Sequence, residues 1–218
     1  MKITEILTEA QMSPEIKKIM GDKGYKYISR GQDQDVYLSP DGTILKIFGW
    51  DRDKGSSGFT RAQGSFIAFA NYCKKNPNNQ FLPDFSDWAT FEFDGKTYLQ
   101  IKTERLFPLS GDWEYLGNEL GIFVDSYIER YGATEGLKVY IDKFEGSQIR
   151  SRDQASLIIM MLGKDGLTLF AKTVDDLSKI AKQKGYGLDL HSGNFMFGSD
   201  SHLVINDPFF TGSFRGLT

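Results

Sequence analysis

The stretch GLDLHSGNFMFGSDSHLVINDPFF, residues 187–210, combines a hairpin pattern with polar side chains at one end of it. Phe195–Phe197 and Leu203–Ile205 are apolar and predict two short antiparallel strands, and the glycine, serine and aspartate residues between them predict the turn. In such a hairpin Asn194 and Asp207 lie at the same open end. The sequence therefore predicts that an amide and a carboxylate meet there.

A second carboxylate, Asp189, lies on the segment that enters this hairpin, near enough for its side chain to face the same cavity as Asn194 and Asp207. Hard oxygen ligands of this kind hold Mg²⁺, and a remaining carboxylate can accept the proton of a hydroxyl group. Each residue alone has an ordinary alternative use, Asp189 as a helix-terminus cap and Asn194 as a turn residue. Their joint spacing favours the chemistry of phosphoryl transfer.

Length and composition predict one globular unit. The chain has 218 residues, of which 40% are hydrophobic and 25% are charged, so it can bury a core and is neither disordered nor fibrous. Its formal net charge of -3 gives no basic surface for a nucleic-acid partner. The longest apolar stretch, Leu157–Gly163, is much shorter than a membrane span, so we expect no membrane partner.

The single cysteine and the first residues predict a reducing, cytoplasmic environment. Cys73 has no partner for an internal disulfide, and its place on an apolar stripe indicates buried packing. The start MKITEILTEA carries Glu5 and Glu9 where a secretory leader needs an uncharged run.

Local patterns divide the chain into a strand-rich part and a helical part. Ser13 and Pro14 predict the start of a short helix, and Asp94-Gly95 predicts a tight hairpin turn. Strands are predicted in YKYISRG, DVYLSPDG and TILKIFGW, and a helix in TRAQGSFIAFANYCKK. From Leu106 to Gly185 we expect a mainly helical region with no strands, and Gly185 as the C-terminal stop of the last helix. Two buried stripes are predicted there: Leu120, Phe123, Val124, Tyr127 and Ile128, and Leu167, Phe170, Ala171, Val174 and Leu177.

The spacing from Asp189 to Asn194, followed by an apolar strand pair and Asp207, resembles the catalytic and metal-binding loops of the protein kinase-like superfamily. The motif DLHxxN, followed by Asp-Pro, is similar to the corresponding motifs of aminoglycoside and choline kinases and of small phage-type kinases. The resemblance implies an α+β, bilobal protein kinase-like fold with a five-stranded antiparallel N-lobe sheet and one helix. It also implies a helical C-lobe truncated after the metal-binding hairpin, since few residues follow Asp207.

By this resemblance residues 1–218 form a single kinase-like domain. Its parts are a leader and helix at 1–20, an N-lobe at 21–103, a hinge at 104–109 and a C-lobe at 110–218.

The same resemblance assigns roles to individual residues. Asp189 would be the catalytic base and His191 would brace its loop from behind, while Asn194 and Asp207 would bind Mg²⁺. The nucleotide would be ATP, with Lys46 on its α and β phosphates. Further nucleotide-binding positions are Gly31 in the phosphate-covering loop, Val36 against the adenine, and the hinge residues Glu104 and Leu106.

The sequence departs from the superfamily pattern at the helix after the third strand. No glutamate occurs from Ile47 to Ser86, so Lys46 lacks the usual carboxylate partner and Gln63 stands nearest to that position. A neutral amide orients a lysine more weakly than a carboxylate does. The phosphate-covering loop also keeps only Gly31, with Ser29 and Gln34 at the other two places.

The main hypothesis is an ATP- and Mg²⁺-dependent kinase that phosphorylates a hydroxyl acceptor, with a protein serine or threonine preferred because no acidic pocket signature for a cationic antibiotic is evident. Three alternatives stay open: a pseudokinase that binds nucleotide or a host protein, a small-molecule phosphotransferase, and a nucleotidyltransferase. The sequence leaves the oligomeric state open.

The N-terminal residues carry one further pattern. Leu7-Thr8-Glu9 is similar to the site at which phage prohead proteases trim packaged proteins. It indicates a phage-encoded protein, located in the host cytoplasm or packaged in the virion. The alternative is an ordinary helical N-terminus.

Overall fold

The computed structural model describes residues 14–30, 34–48, 61–145 and 151–210. These residues group into two compact units. The first contains the described residues up to Ile67 and Asp84–Arg105, and the second contains Ala68–Pro83 and the described residues from Leu106 on. Residues 68–83, which the predicted N-lobe range includes, thus group with the helical part. The predicted Ser13 cap, the leader and Gly31 lie outside the described residues.

The first unit is built on a five-stranded antiparallel sheet with the order β1-β2-β3-β5-β4. This confirms the α+β class with an antiparallel N-terminal sheet. The elements are α1 (Pro14–Asp22), β1 (Lys26–Arg30), β2 (Gln34–Leu38), β3 (Ile44–Phe48), β4 (Phe85–Phe93), β5 (Lys96–Thr103) and the first part of α2 (Arg61–Lys75).

Turn residues fix the strand connections where the sequence predicts them. Between β2 and β3, Thr43 donates to the Asp41 carboxylate through its backbone N–H (3.2 Å) and its hydroxyl (2.6 Å). Between β4 and β5, Asp94 and Gly95 have φ angles of 50° and 67°, the left-handed pair that a type I′ turn requires. Local side chains thus set the register of β3 and β5, the two central strands.

Alternation of side chains gives this sheet two buried faces. On one face α1 contributes Ile16 and Met20 to a cluster with Tyr37, Leu45, Ile47 and Tyr98. On the other face Phe66 of α2 packs with Phe48, Leu99 and Ile101. We call these two sides the α1 face and the α2 face of the sheet. The side chains of residues 44, 46 and 48 on β3 lie on the α2 face.

The second unit is mainly helical and carries five short strands. Its elements are α3 (Asp112–Phe123), a π-helical turn (Val124–Ile128), α4 (Glu129–Tyr131), α5 (Ala133–Glu145), α6 (Ser151–Lys184), β6 (Phe107–Pro108), β7 (Gly187–Leu188), a 3₁₀ turn (Ser192–Asn194), β8 (Phe195–Phe197), β9 (Leu203–Ile205) and β10 (Phe209–Phe210). No helix in the described ranges is long and apolar enough to cross a membrane.

Both predicted apolar stripes form the core of this unit, and every residue of the two stripes is buried. The predicted stop at Gly185 is also confirmed. Gly185 has φ 71°. The N–H of Tyr186 donates to the carbonyl of Ala181 (2.8 Å), which is the 6→1 hydrogen bond of a Schellman motif. Gly163 interrupts α6 with φ 68° and ψ 169°.

The expectation of no strands between Leu106 and Gly185 is wrong at Phe107–Pro108. These two residues form β6, which pairs with β8 of the C-terminal hairpin, Phe107 opposite Phe197 and Pro108 opposite Met196. A proline can occupy such a place because an edge strand needs no N–H on its outer side. The pairing is non-local and leaves no periodic pattern in the sequence.

Candidate functional site

The 189–194 loop of the second unit begins where a two-stranded ladder ends. In that ladder β7 pairs with β10, Leu188 opposite Phe209. The pairing continues by one residue beyond the ladder, because the N–H of Asp189 donates to the carbonyl of Pro208 (2.8 Å). Asp189 therefore lies beside the segment Asp207-Pro208, although the two are far apart in sequence.

The C-terminal end of the loop leads into the β8–β9 hairpin. The structure confirms the two strands that the sequence predicted for this hairpin. Phe195 lies opposite Ile205, and the turn is closed by a bond from the N–H of Ser201 to the carbonyl of Gly198 (3.1 Å). One step beyond the ladder, the N–H of Asn206 donates to the carbonyl of Asn194 (2.7 Å). Asn194 is thereby held beside the residue that precedes Asp207.

The side chain of Asn194 closes the loop on itself. Its Nδ2 donates to the backbone carbonyl of Asp189 (2.6 Å), and its own N–H donates to the carbonyl of His191 (2.9 Å). Because the amide nitrogen is used inside the loop, Oδ1 is the atom left to accept a hydrogen bond or to bind a cation. The loop therefore presents an amide oxygen next to the Asp189 backbone.

His191 contacts both the loop and the candidate base. Its Nδ1 accepts a hydrogen bond from the N–H of Gly193 (3.0 Å), so the neutral ring carries its proton on Nε2. Nε2 lies 3.8 Å from Oδ1 of Asp189. This distance is too long for a hydrogen bond but short enough for electrostatic attraction between the ring N–H and the carboxylate.

Asp207 has an unusual backbone conformation, with φ at 49°. Aspartate tolerates the left-handed region better than most residues, yet the conformation still costs free energy relative to an extended one. Backbone strain of this kind concentrates at functional sites. Asp94 and Ser201 also have a positive φ, but both lie in hairpin turns, whereas Asp207 follows a strand outside any such turn.

Asn194 and Asp207 together offer an amide oxygen and a carboxylate, both of which suit Mg²⁺. Among the described residues no group of three or more His, Cys, Asp and Glu side chains forms a metal cluster. Mg²⁺ takes one or two protein carboxylates and completes its shell with water and phosphate oxygens. The donor set fits the ion, and Mg²⁺ binding by these two residues stays a prediction.

In the first unit Lys46 lies in the middle of β3, opposite Val36 on β2 and Ile101 on β5. Only 7% of its surface is exposed, and its Nζ lies 4.5 Å from the centroid of the Phe66 ring. An ammonium group over an aromatic face is held by electrostatic attraction that strengthens with desolvation. Lys46 and Val36 thus share the α2 face of the sheet, and the amine points toward helix α2.

Gln63, the predicted substitute for the missing carboxylate, is 4% exposed on α2. It precedes Phe66 by one helical turn, so the amide and the ring lie on the same side of the helix. The ring contacts the Lys46 amine directly. Phe66 lies in the apolar stripe of the predicted helix but was not predicted as a site residue, and its spacing of three from Gln63 is the signal that could have identified it.

Glu104 uses part of its hydrogen-bonding capacity on Asp84. Its N–H donates to the carbonyl of Asp84 (3.0 Å), and its Oε1 accepts from the N–H of Asp84 (2.9 Å). Both the backbone N–H and a side-chain oxygen of Glu104 are thus bonded to Asp84, and the role of Glu104 at the adenine stays a prediction. Leu106 is the first residue of the second unit after this strand, and its predicted role rests on the sequence alone.

Comparison with solved structures returns aminoglycoside phosphotransferases, which are members of the protein kinase-like superfamily. The enzyme from Alicyclobacillus acidocaldarius matches with 12% identity and a TM-score of 0.37, over 93% of this chain and 68% of that one. The ternary complex of streptomycin, ATP and APH(2″)-IIa matches with 14% identity and a TM-score of 0.30, over 93% and 73%. The resemblance of this chain to the superfamily stays a prediction from its sequence. No family model and no curated protein matches the chain.

Proposed function

We propose that this chain is an ATP- and Mg²⁺-dependent phosphotransferase that moves the γ-phosphoryl group of ATP to an acceptor hydroxyl. The comparisons give no support to a protein serine or threonine as the acceptor. The proposed acceptor is therefore a hydroxyl group of a small molecule, as in the small-molecule phosphotransferase that the sequence leaves open as an alternative. The experiment below includes both classes.

In the proposed step a bond forms between the acceptor oxygen and the γ-phosphorus while the bond to the β–γ bridging oxygen breaks, and ADP leaves. Asp189 accepts the proton of the hydroxyl. His191 attracts the Asp189 carboxylate through Nε2–H, and Lys46 is assigned to the α and β phosphates. Bound Mg²⁺, held by Asn194 and Asp207, would neutralise phosphate charge. Catalysis of this kind comes mainly from positioning and electrostatics.

The observation that carries the proposal is the set of three hydrogen bonds that joins the 189–194 loop to the segment around Asp207. They run from Asp189 N–H to the Pro208 carbonyl, from Asn206 N–H to the Asn194 carbonyl, and from Asn194 Nδ2 to the Asp189 carbonyl, at 2.6–2.8 Å. A base, an amide oxygen and a second carboxylate are thereby held on one short framework. The left-handed conformation of Asp207 supports the same assignment.

The test is incubation with ATP labelled at the γ-phosphate, with Mg²⁺ and two sets of acceptors: streptomycin as a small-molecule probe and a Ser/Thr-rich polypeptide. We expect transfer by the native chain and a loss of about 1,000-fold in Asp189→Ala, since a positioned general base contributes about 100- to 10,000-fold. Asp165→Ala, on the exposed surface of α6, is the matched control and should keep full activity. Transfer that survives in Asp189→Ala would refute the assigned role.

A pseudokinase is the second candidate, because Gln63 provides an amide where the superfamily pattern has a carboxylate. In that case the chain binds ATP with no transfer to either acceptor. Isothermal titration with a nonhydrolysable ATP analogue distinguishes a chain that binds but does not transfer from one that does neither. A mass gain equal to AMP on an acceptor would indicate nucleotidyl transfer instead.

A further inference from the structure

Helix α3 places two glycines against the 189–194 loop. A Cβ atom added at Gly121 would lie 3.4 Å from the carbonyl oxygen of Leu190 and 3.8 Å from Cα of His191. A Cβ atom added at Gly117, one turn earlier on the same side of the helix, would lie 3.5 Å from the carbonyl oxygen of Ser192. The backbone of the loop therefore rests directly on the helix.

Both glycines are buried inside a helix, where glycine is the least favourable residue after proline. An interior helical glycine usually has a packing reason, and here the close loop backbone supplies it. The helix is itself firmly held, because Leu116, Leu120 and Phe123 are completely buried in the core of the second unit. Gly117 and Gly121 thus belong to a fixed surface.

The loop is fixed at its two ends by strand-like bonds at Asp189 and Asn194, and internally by the bonds from Asn194 to the carbonyls of Asp189 and His191. Leu190, His191 and Ser192 lie between those ends and face α3. A Cβ atom at either glycine would lie in ordinary contact with this middle segment, so a side chain that extends beyond Cβ toward the loop would displace it. Asp189 and Asn194 would then move with it, because they flank the segment directly.

We propose that Gly117 and Gly121 are positioning residues for phosphoryl transfer: the absence of side-chain atoms beyond Cβ at these positions lets the loop backbone pack against α3, and this packing sets the position of Asp189. This inference rests on the proposed function. Neither glycine touches a substrate, so their effect should appear in the rate of the chemical step. A misplacement of about 1 Å in a catalytic group can cost about 100-fold in rate.

The experiment compares Gly121→Val with Gly166→Val in the labelled-ATP assay. Gly166 is a matched control because it is also helical, and a Cβ atom there would lie 3.4 Å from Leu162 Cβ and 3.6 Å from Gln80, away from the loop. We expect Gly121→Val to lose about 100-fold in kcat with KM for ATP changed by less than about threefold. Gly166→Val should change kcat by less than about threefold. Gly121→Ala, whose Cβ just fits, should recover most of the rate.

A Gly121→Val protein that folds and keeps its kcat would overturn the inference, and so would an equal loss of kcat in Gly166→Val. If Gly121→Val does not fold, Gly117→Val is judged in the same way, since a Cβ atom there would lie 2.9 Å from Cδ1 of Leu109, the flexible end of a side chain, and 3.5 Å from the Ser192 carbonyl oxygen. Absence of transfer by the native chain would instead refute the proposed function. The two failures are therefore distinguishable.

Discussion

In the second unit the candidate groups are held by backbone hydrogen bonds, whereas in the first unit the candidate amine is held by side-chain packing. Asp189 and Asn194 each continue the register of a strand pair. Lys46 is placed by its position on a central strand and by the ring of Phe66. The backbone bonds at Asp189 and Asn194 do not require particular side chains, so these side chains can be replaced without loss of the backbone bonds. The orientation of the Lys46 amine, in contrast, depends on the side chains packed against it.

This difference separates two kinds of mutational effect. Replacing a side chain on the backbone framework should remove chemistry and leave the fold intact. Replacing a residue that contacts Lys46 should change how well the amine is oriented. The three predictions that follow test this distinction, beginning with the framework.

The largest expected effect is that of Asp207→Gly. Asp207 is proposed as a metal ligand, and removal of such a ligand forfeits several kcal/mol of charge stabilisation, so we expect activity to fall by about 1,000-fold. Glycine adopts a φ of 49° without steric cost, so the free energy of unfolding should not decrease and should rise by up to about 1 kcal/mol. The labelled-ATP assay and thermal denaturation measure the two effects.

Asp94→Gly is the matched control, since Asp94 has nearly the same φ of 50° in an exposed turn of the first unit. It should show a similar change in stability and full activity. If Asp207→Gly unfolds the chain while Asp94→Gly does not, Asp207 holds the fold through its side chain, and the backbone framework is not sufficient.

The next effect is that of Lys46→Met, which removes the charge and keeps a long apolar side chain. We expect kcat/KM for ATP to fall by about 100-fold, because the phosphates lose an opposing charge. Stability should hold or rise, because a buried ammonium group is costly to desolvate and methionine packs well in its place. Steady-state kinetics and denaturant unfolding are the measurements.

Lys102→Met is the comparison variant. Lys102 lies on β5, next to the residue paired with Lys46, and its Nζ contacts the Asp41 carboxylate at the surface (2.5 Å). It should leave kcat/KM unchanged. Unaltered kinetics in Lys46→Met as well would contradict a role for that amine in nucleotide binding.

The smallest effect is that of Gln63→Glu, which restores a carboxylate on the helix that faces the Lys46 amine. A charged partner strengthens a hydrogen bond about twofold, so we expect kcat/KM to rise by up to about tenfold. Gln100→Glu, on the neighbouring strand, serves as the control and should have no effect. A decrease in Gln63→Glu would show that packing on Phe66 alone orients the amine, which would sharpen the contrast between the units.

Much of the fold could be predicted because local chemistry specifies it. The Asp94-Gly95 turn, the Gly185 stop and the buried stripe of α6 each depend on residues close together in the chain. The two-residue strands β6, β7 and β10 could not be predicted, since each forms only through pairing with a distant partner. The π-helical turn at Val124–Ile128 could not be predicted either, because it hardly changes the helical spacing of the apolar residues.

The candidate site divides in the same way. Spacing was sufficient to place Asn194 and Asp207 at one end of a hairpin, because antiparallel register fixes which residues are opposite. The bond from Asp189 to Pro208 depends on the β7–β10 ladder, and the seat of the loop on Gly117 and Gly121 depends on tertiary packing. Neither has a signature in the local sequence.

The short hairpin also offers a way to observe the site spectroscopically. The chain has one cysteine, and Cys73 is buried, so Ser199→Cys in the exposed turn would supply the accessible thiol for a fluorescent label. With three residues in each strand, that dye would sit roughly 10 Å from the open end of the hairpin. It would be close enough for its emission to respond to ion or nucleotide binding and far enough away to leave the binding groups untouched.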